Sequence, residues 1–221
     1  MKSNATPFLI AIVGGSGAGK SWLADRLQAK LGATAGRLSL DDFYHDRSHL
    51  PPGRRARINV DHPRAIDWER LEAVLRDCLA GRSTRVPRYD FKTHTRLPAA
   101  QVFRPKRLII VDGLWLLWRP GLRRLFGLRI FIDCPAKVRL NRRLARDLLL
   151  RGRDQASVHR QFRETVEPMN AQYVVPQARW AHIILKAPIS PTEVSQLVRQ
   201  LRTEKGQIEN GDGSLAPNGN I

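Results

Sequence analysis

Apolar and amphipathic segments alternate along the chain. Five short apolar runs have the length and composition of buried strands. They lie at residues 8–13, 36–40, 107–111, 128–132 and 182–185. Elsewhere, apolar residues recur at helical spacing. These stretches predict helices at residues 22–31, 65–79, 136–150, 158–179 and 191–203. Strands that alternate with helices predict an α/β fold, in which a central parallel sheet is flanked by helices.

Individual residues indicate where some of the helices begin, end or change. Asp67 is a suitable N-cap for the second helix, and Gly81 is placed to end it. Pro168 and Pro176 are predicted to interrupt the fourth helical region, because proline cannot donate a backbone hydrogen bond inside a helix.

Two polar insertions and a polar tail complete the predicted organisation. Residues 41–64 form a long polar stretch, and a loop of this length in a compact domain is usually functional. Residues 84–104 contain two extended pieces around a polar middle and predict a small β-hairpin flap. The length of 221 residues suits one domain, placed at residues 1–203. Residues 204–221 are rich in Gly, Asn and Ser and are predicted to be a disordered tail.

The most informative motif lies between the first strand and the first helix. Residues 14–21 fit the phosphate-loop pattern Gly-x4-Gly-Lys-[Ser/Thr], and the predicted elements on either side supply the context that the pattern needs. Glycines let successive N–H groups converge on one anion, and a helix start adds its positive dipole end. The residues predicted to bind a triphosphate are Gly14, Gly15, Ser16, Gly17, Ala18, Gly19, Lys20 and Ser21. Lys20 would reach the β- and γ-phosphates, and the Ser21 hydroxyl would ligate Mg2+.

Two carboxylates follow predicted strands and extend this site. Asp41 comes after the second strand, and Asp112 after the third. Ligands of a parallel sheet bind at the carboxyl ends of its strands, so both residues are expected to face the phosphate loop. Asp41 can accept the proton of an attacking hydroxyl, whereas Asp112 can hold Mg2+ directly or through water. These residues predict phosphoryl transfer that uses ATP and Mg2+.

The predicted helix 136–150 and the residues after it carry a group of arginines. They are Arg142, Arg143, Arg146, Arg151 and Arg153. On a lid at about residues 143–156, arginines can neutralise charge on the transferred phosphoryl group and exclude water. A solvated basic helix is the alternative, and the sequence does not decide between the two. His62 and His94 have no zinc-binding spacing, and substrate contact is the better interpretation of both.

Composition narrows the class of protein further. The formal net charge is +18, with 30 Arg and 8 Lys spread along the chain, and we expect no specific nucleic-acid partner. No apolar stretch is long enough to span a bilayer, and residues 1–7 contain no signal sequence, so no membrane partner is expected. Cys78 and Cys134 lie in apolar segments and are expected to be reduced core thiols of a cytoplasmic protein.

Several motifs in one order resemble those of the phosphoribulokinase/uridine kinase family of P-loop kinases, and of its uridine kinases in particular. The match extends from about Phe8 to about Leu185. Beyond the phosphate loop, the matching segments are residues 39–44 (SLDDFY), 59–63 (NVDHP), 89–91 (YDF), 94–96 (HTR), 112–113 (DG), 142–154, 166–169 (VEPM) and 181–184 (AHII).

This resemblance implies transfer of the γ-phosphoryl group of ATP to the 5′-hydroxyl of uridine or cytidine, giving UMP or CMP in pyrimidine salvage. Asp41 would be the general base, and Asp61 would hold the ribose hydroxyls. The implied nucleoside contacts come from Tyr89, His94, Gln161, Arg143 and Arg153. The implied lid over ATP holds Arg146, Arg151 and Arg153, with Lys20, Arg146 and Arg151 assisting catalysis. Self-association is an expectation, because family members are often oligomeric.

Departures from the family pattern leave the acceptor open. Val60 stands where an aromatic residue is usual, Asp112 where Glu is common, and Trp22 where a small residue is usual. One alternative is therefore a kinase of the same family that acts on another hydroxyl acceptor, such as a sugar phosphate, glycerate or pantothenate. A nucleotide-binding regulator or RNA-binding protein is the less favoured alternative, suggested by the net charge.

Overall fold

A computed structural model describes residues 6–55 and 57–209, with the side chains of residues 150, 151 and 204–209 excepted. The named elements, in chain order, are β1 (Phe8–Gly14), α1 (Lys20–Leu31), β2 (Ala35–Ser39), α2 (Pro52–Arg55), α3 (Trp68–Leu79), β3 (Thr84–Val86), β4 (Tyr89–Asp90), β5 (Thr95–Arg96), β6 (Gln101–Phe103), β7 (Leu108–Gly113), α4 (Pro120–Arg123), β8 (Leu128–Asp133), α5 (Ala136–Arg151), α6 (Gln155–Gln161), α7 (Glu167–Met169), β9 (Ile183–Lys186) and α8 (Pro191–Glu209).

The five predicted strands form one parallel sheet in the order β2-β7-β1-β8-β9. Asp112 on β7 lies level with Ser39 on β2 and with Ile12 on β1, so the carboxyl ends of these three strands meet at one edge. The predicted α/β architecture is confirmed. It brings the segments after β1, β2 and β7 to the same end of the sheet, where ligands of parallel sheets bind.

Successive side chains of each strand point to opposite faces of the sheet, so the core has two layers. On β1, Ile10 and Ile12 face helices α1 and α8, together with Leu23 and Leu197. The residues between them on β1 face the opposite layer, which contains α3, the segment 114–126 and the buried Trp115. The β1 run is apolar throughout because both faces of the sheet are covered. Cys78 and Cys134 are both buried and free, as expected.

Helix α3 begins three residues later than predicted. Residues Pro63–Ala65 form a 3-10 turn, whose backbone is capped by the His62 side chain. The Asp67 carboxylate then accepts a hydrogen bond from the Arg70 N–H, which confirms Asp67 as the N-cap of α3. The C-terminal side agrees with the prediction, since α3 ends at Leu79 and Gly81 adopts a left-handed φ of 70°.

The two prolines change the helical geometry without breaking the helical rod. Residues 155–180 run through α6, a π-helical turn, α7, a second π-helical turn and a 3-10 segment. Pro168 lies in the short α7 between the two π turns, and Pro176 lies in the first turn of the 3-10 segment. π turns replace the normal hydrogen-bond ladder locally and are frequent near functional sites.

The flap has the predicted antiparallel character, with β3 paired to β6 and β4 paired to β5. Arg96 anchors it, donating from Nε to the Tyr44 carbonyl at 2.9 Å and from Nη2 to Asp67 at 2.9 Å. The last helix, α8, continues to Glu209 instead of ending at Thr203, and the disordered tail stays a prediction. The rest of the tail, from residue 210, lies outside the described residues. Among the described residues, we find no helix that is both long and apolar enough to cross a membrane.

Candidate active site

The phosphate loop packs tightly against two elements that are distant in sequence. Gly17 has a left-handed φ of 83°, and a Cβ atom there would lie 2.6 Å from the Arg139 carbonyl oxygen on α5. A Cβ atom at Gly15 would lie 2.6 Å from Oδ1 of Asn170, in the helical rod. Glycine is therefore needed at Gly17, where a Cβ atom would meet backbone, whereas a Cβ atom at Gly15 would require the side chains of Asn170 and Arg139 to move.

Lys20 is directed into this loop. Its Nζ donates a hydrogen bond to the Gly15 carbonyl at 3.0 Å. Burial lowers the pKa of Lys20 from its usual value to about 8, although the nearby carboxylates of Asp41 and Asp112 act to raise it. The Arg146 charge lowers the pKa further. Lys20 is thus a cation whose charge is disfavoured mainly by burial, and a bound polyphosphate would stabilise its charged form.

Ser21 and Asp112 lie side by side at the edge of the sheet. The Ser21 hydroxyl donates to Oδ2 of Asp112 at 2.8 Å, and Asp112 is only 2% exposed. Arg37 on β2, a residue that no motif in the sequence marks, donates from Nε to Oδ1 of Asp112 at 3.0 Å. Its guanidinium also pairs with Asp25 on α1. The Asp112 carboxylate is therefore held on both oxygens, which fixes its orientation towards the loop.

The donor atoms of Ser21 and Asp112 fit Mg2+. Hydroxyl and carboxylate oxygens are the ligands that this hard cation prefers. Within the described part of the chain, no group of three or more His, Cys, Asp or Glu side chains could hold a metal ion. Mg2+ in phosphoryl-transfer sites usually takes one or two protein ligands and completes its shell with water and substrate phosphates, so the pair is sufficient.

The adjacent residues Asp41 and Asp42 have different surroundings. Both lie in the 3-10 turn that follows β2, where the Asp41 N–H donates to Oγ of Ser39 at 3.3 Å. Asp41 lines the same cavity as Lys20. Asp42 is not among the lining residues, and burial, with the charge of Asp41 as a smaller cause, raises its pKa. The geometry therefore separates the pair and selects Asp41 as the candidate base.

This cavity has a volume of about 270 Å³ and collects most of the predicted site residues. Its lining residues are Ser16, Gly17, Gly19, Lys20, Ser21, Trp22, Asp41, Tyr44, Val60, Asp61, Phe91, His94, Asp112, Gly113, Leu114, Arg142, Arg143, Arg146, Arg153 and Gln161. Residues predicted to bind the triphosphate, residues predicted to bind the acceptor and the predicted arginines thus line the same cavity.

A hydrogen-bonded network connects the predicted acceptor residues with the arginines. Oδ2 of Asp61 accepts from Nε2 of Gln161 at 3.1 Å and from Oγ1 of Thr165 at 3.3 Å. The other amide atom, Oε1 of Gln161, accepts from Arg143 at 3.2 Å and also from Arg153. Gln161 is therefore a bridge between a carboxylate and two cations.

The arginines of α5 contact the phosphate loop itself. Arg143 donates to Oγ of Ser16 at 2.7 Å, and Arg142 donates to the Ala18 carbonyl at 3.1 Å. Arg146 lines the cavity and pairs with the buried Asp147. These contacts favour the lid interpretation over a solvated basic helix. The predicted contact of Arg151 lies outside the described residues, since its side chain is not described.

The aromatic residues of the flap, together with Tyr44 after β2, occupy positions that the sequence did not distinguish. Tyr44 and Phe91 line the cavity, whereas Tyr89 does not and packs against both of their rings, with centroids 5.1 Å from each. Burial raises the pKa of Tyr89 to about 12. His94 lines the cavity at a left-handed φ of 56°. His62 does not line it and instead hydrogen-bonds to Tyr173 at 3.0 Å. A direct nucleoside contact of Tyr89 stays a prediction.

Comparison with known proteins agrees with this geometry. The model of the phosphoribulokinase / uridine kinase family matches residues 9–193. The chain belongs to this family. The resemblance inferred from the motifs is thereby confirmed.

Named relatives and solved structures are consistent with this membership. The chain is 39% identical to a protein named uridine kinase from Chloroflexus aurantiacus, over 80% of this chain and 86% of that protein. It is 40% identical to a uridine kinase from Tolumonas auensis, over 83% of this chain and 88% of that protein. The structure of phosphoribulokinase from Rhodobacter spheroides superposes with a TM-score of 0.62 at 18% identity, covering 83% of this chain and 71% of that chain. The structural likeness supports the P-loop kinase fold.

Proposed function

We propose that this protein transfers the γ-phosphoryl group of ATP to the 5′-hydroxyl of a pyrimidine nucleoside, uridine or cytidine. The observation that carries the proposal is the shared cavity, in which Asp41 and the Asp61–Gln161 pair face the phosphate loop. The names of the relatives at 39% and 40% identity support the choice of a nucleoside as the acceptor.

The chemistry follows from the positions of the charged groups. Asp41, beside the charged Lys20, accepts the proton of the attacking hydroxyl. Asp61, held by Gln161, offers its carboxylate to the ribose hydroxyls. Lys20 and the arginines Arg143, Arg146 and Arg153 supply positive charge to the transferred phosphoryl group, where it stabilises the transition state. Ser21 and Asp112 would hold Mg2+, which neutralises charge on the β- and γ-phosphates.

The acceptor is the part of the proposal that needs testing first. Val60 lines the cavity next to Asp61 and offers an aliphatic surface in place of an aromatic ring. We would measure ADP release from ATP and Mg2+ with uridine, cytidine, adenosine, ribulose 5-phosphate, glycerate and pantothenate supplied separately. Release stimulated by uridine or cytidine is the expected result. Stimulation by another acceptor alone would show that the phosphate machinery is correct and the proposed acceptor wrong.

The catalytic role of Asp41 is tested by Asp41→Asn, which keeps the shape of the side chain and removes its charge. We expect ATP binding to persist, whereas turnover falls by about two to four orders of magnitude, the usual contribution of a general base. Isothermal titration with ATP and a steady-state assay measure the two quantities. Asp42→Asn is the matched control, because Asp42 does not line the cavity. Turnover by Asp41→Asn equal to that of the wild type would refute the mechanism. The cytoplasmic location and self-association stay predictions.

A further inference from the structure

Trp22 is a large apolar side chain in an unusual position. It directly follows Ser21 on α1 and lines the cavity, yet 43% of its surface is exposed. It belongs to neither of the two core clusters, whereas Leu23 and Ala24 beside it are fully buried. An exposed aromatic ring at the mouth of a polar cavity does not contribute to the core, which points to a role in contacting a ligand.

The side chains around the cavity indicate which part of a ligand would reach Trp22. A triphosphate whose γ-phosphate lies beside Asp41 extends its other end away from the residues that bind the phosphoryl acceptor. Tyr44, which follows the 3-10 turn after β2, and Phe91 on the flap pack with ring centroids 5.4 Å apart, and Tyr44 is close in sequence to the candidate base Asp41. Among the described residues that line the cavity, Trp22 is the one aromatic side chain carried by the helix of the phosphate loop. A donor nucleotide whose phosphates lie on this loop would therefore direct its nucleoside towards this ring.

Neighbouring arginines prepare the indole for stacking. The guanidinium carbon of Arg26, one helical turn further along α1, lies 5.7 Å from the centre of the Trp22 ring. This cation–π contact covers one part of the indole and restricts its rotation. Arg142 on α5 also contacts the loop, and its Nη1 lies 3.4 Å from the position of a Cβ atom at Gly19. An aromatic ring and a second planar cation thus both line the cavity next to the phosphate loop.

We propose that Trp22 is the stacking platform for the purine base of the donor nucleoside triphosphate. The inference rests on the proposed function, because it takes the donor to be a nucleotide held by the phosphate loop. It goes further because it assigns recognition of the base to Trp22, a side chain that is not required for binding the phosphates. Tight binding of the donor then has two separable parts, the phosphate loop for the triphosphate and Trp22 for the base.

Two ligands separate these parts: ATP, and inorganic tripolyphosphate, which has no base. Affinities of both would be measured by isothermal titration with Mg2+ for the wild type, Trp22→Ala and Trp22→Phe. Because stacking of a base on an aromatic ring contributes to affinity, Trp22→Ala should bind ATP roughly tenfold more weakly, which corresponds to about 1.4 kcal/mol. Tripolyphosphate affinity should stay unchanged, and Trp22→Phe should retain most of the ATP affinity.

The matched control is Trp180→Ala. Trp180 also packs against an arginine, with the Arg179 guanidinium carbon 4.2 Å from its ring, but it does not line the cavity. Its replacement should leave both affinities unchanged. Equal ATP affinity of Trp22→Ala and the wild type would overturn the proposal, as would an equal loss for both ligands, since Trp22 would then only support the loop. Failure of the wild type to bind either triphosphate would overturn the proposed function itself, and this assignment with it.

Discussion

The lowered pKa of Lys20 makes nucleotide binding depend on pH in a way that can be calculated. With a pKa of about 8, Lys20 in the free enzyme loses its proton in the range where an ordinary lysine stays charged. The negative charge of a bound triphosphate favours the protonated form and raises the pKa again. Binding above pH 8 must therefore be accompanied by uptake of a proton, and affinity falls as the pH rises.

The size of the effect follows from the protonated fraction. For a pKa of about 8, roughly nine tenths of Lys20 is charged at pH 7 and roughly one tenth at pH 9. If the complex forms only with the charged side chain, the association constant for ATP falls about tenfold between these pH values. At pH 9, close to one proton should be taken up for each ATP that binds.

Isothermal titration in buffers of different ionisation enthalpy measures affinity and proton uptake together. Lys20→Arg is the control, since an arginine stays charged over this range and removes the Lys20 contribution while leaving every other titration in place. We expect its affinity to change much less between pH 7 and pH 9. A wild-type affinity that does not change over this range, or an identical slope in Lys20→Arg, would refute the reasoning.

Two further predictions concern packing and the acceptor network. Gly17→Ala should lower the free energy of unfolding by about 2 kcal/mol and abolish ATP binding, because its Cβ would lie 2.6 Å from the Arg139 carbonyl. Urea denaturation measures the change in the free energy of unfolding. Gly53→Ala is the control, since open space surrounds that position, and a loss as large as that of Gly17→Ala would contradict the packing argument. Gln161→Leu should raise the KM for the nucleoside about tenfold, because Asp61 loses its amide partner; an unchanged KM would count against the bridge.

The strands, the phosphate loop and the strand-end carboxylates could be predicted because their signals are local. A continuous apolar run followed by Asp112 needs only neighbouring residues to be recognised, and parallel pairing then fixes where the carboxylate lies. Arg37 gave no such signal. It is one arginine among 30, and its bond to Asp112 depends on the pairing of β2 with β7. Contacts between distant segments of this kind need the tertiary structure.

Which of two neighbouring residues reaches the cavity also depends on the tertiary structure. Asp41 and Asp42 differ in sequence position by one, and only the 3-10 turn after β2 directs one of them into the cavity. On the flap, the pattern Tyr89-Asp90-Phe91 suggested a contact for the tyrosine. Phe91 lies in the turn that follows β4 and reaches the cavity, while the Tyr89 ring on β4 does not line the cavity and packs against Phe91. Such differences between neighbouring residues are decided by backbone geometry, which composition does not report.

The polar network indicates how the acceptor and the phosphate donor are coupled. Asp61 is bonded to Gln161, Gln161 to Arg143, and Arg143 to Ser16 in the phosphate loop. Arg143 is nearly fully buried, so its direction is fixed by these partners and not by solvent. We expect a nucleoside that engages Asp61 to change the bond to Gln161 and, through it, the positions of the two arginines from which Gln161 accepts. Binding of the acceptor would then alter the charge presented to the triphosphate through three consecutive hydrogen bonds, without any movement of the sheet.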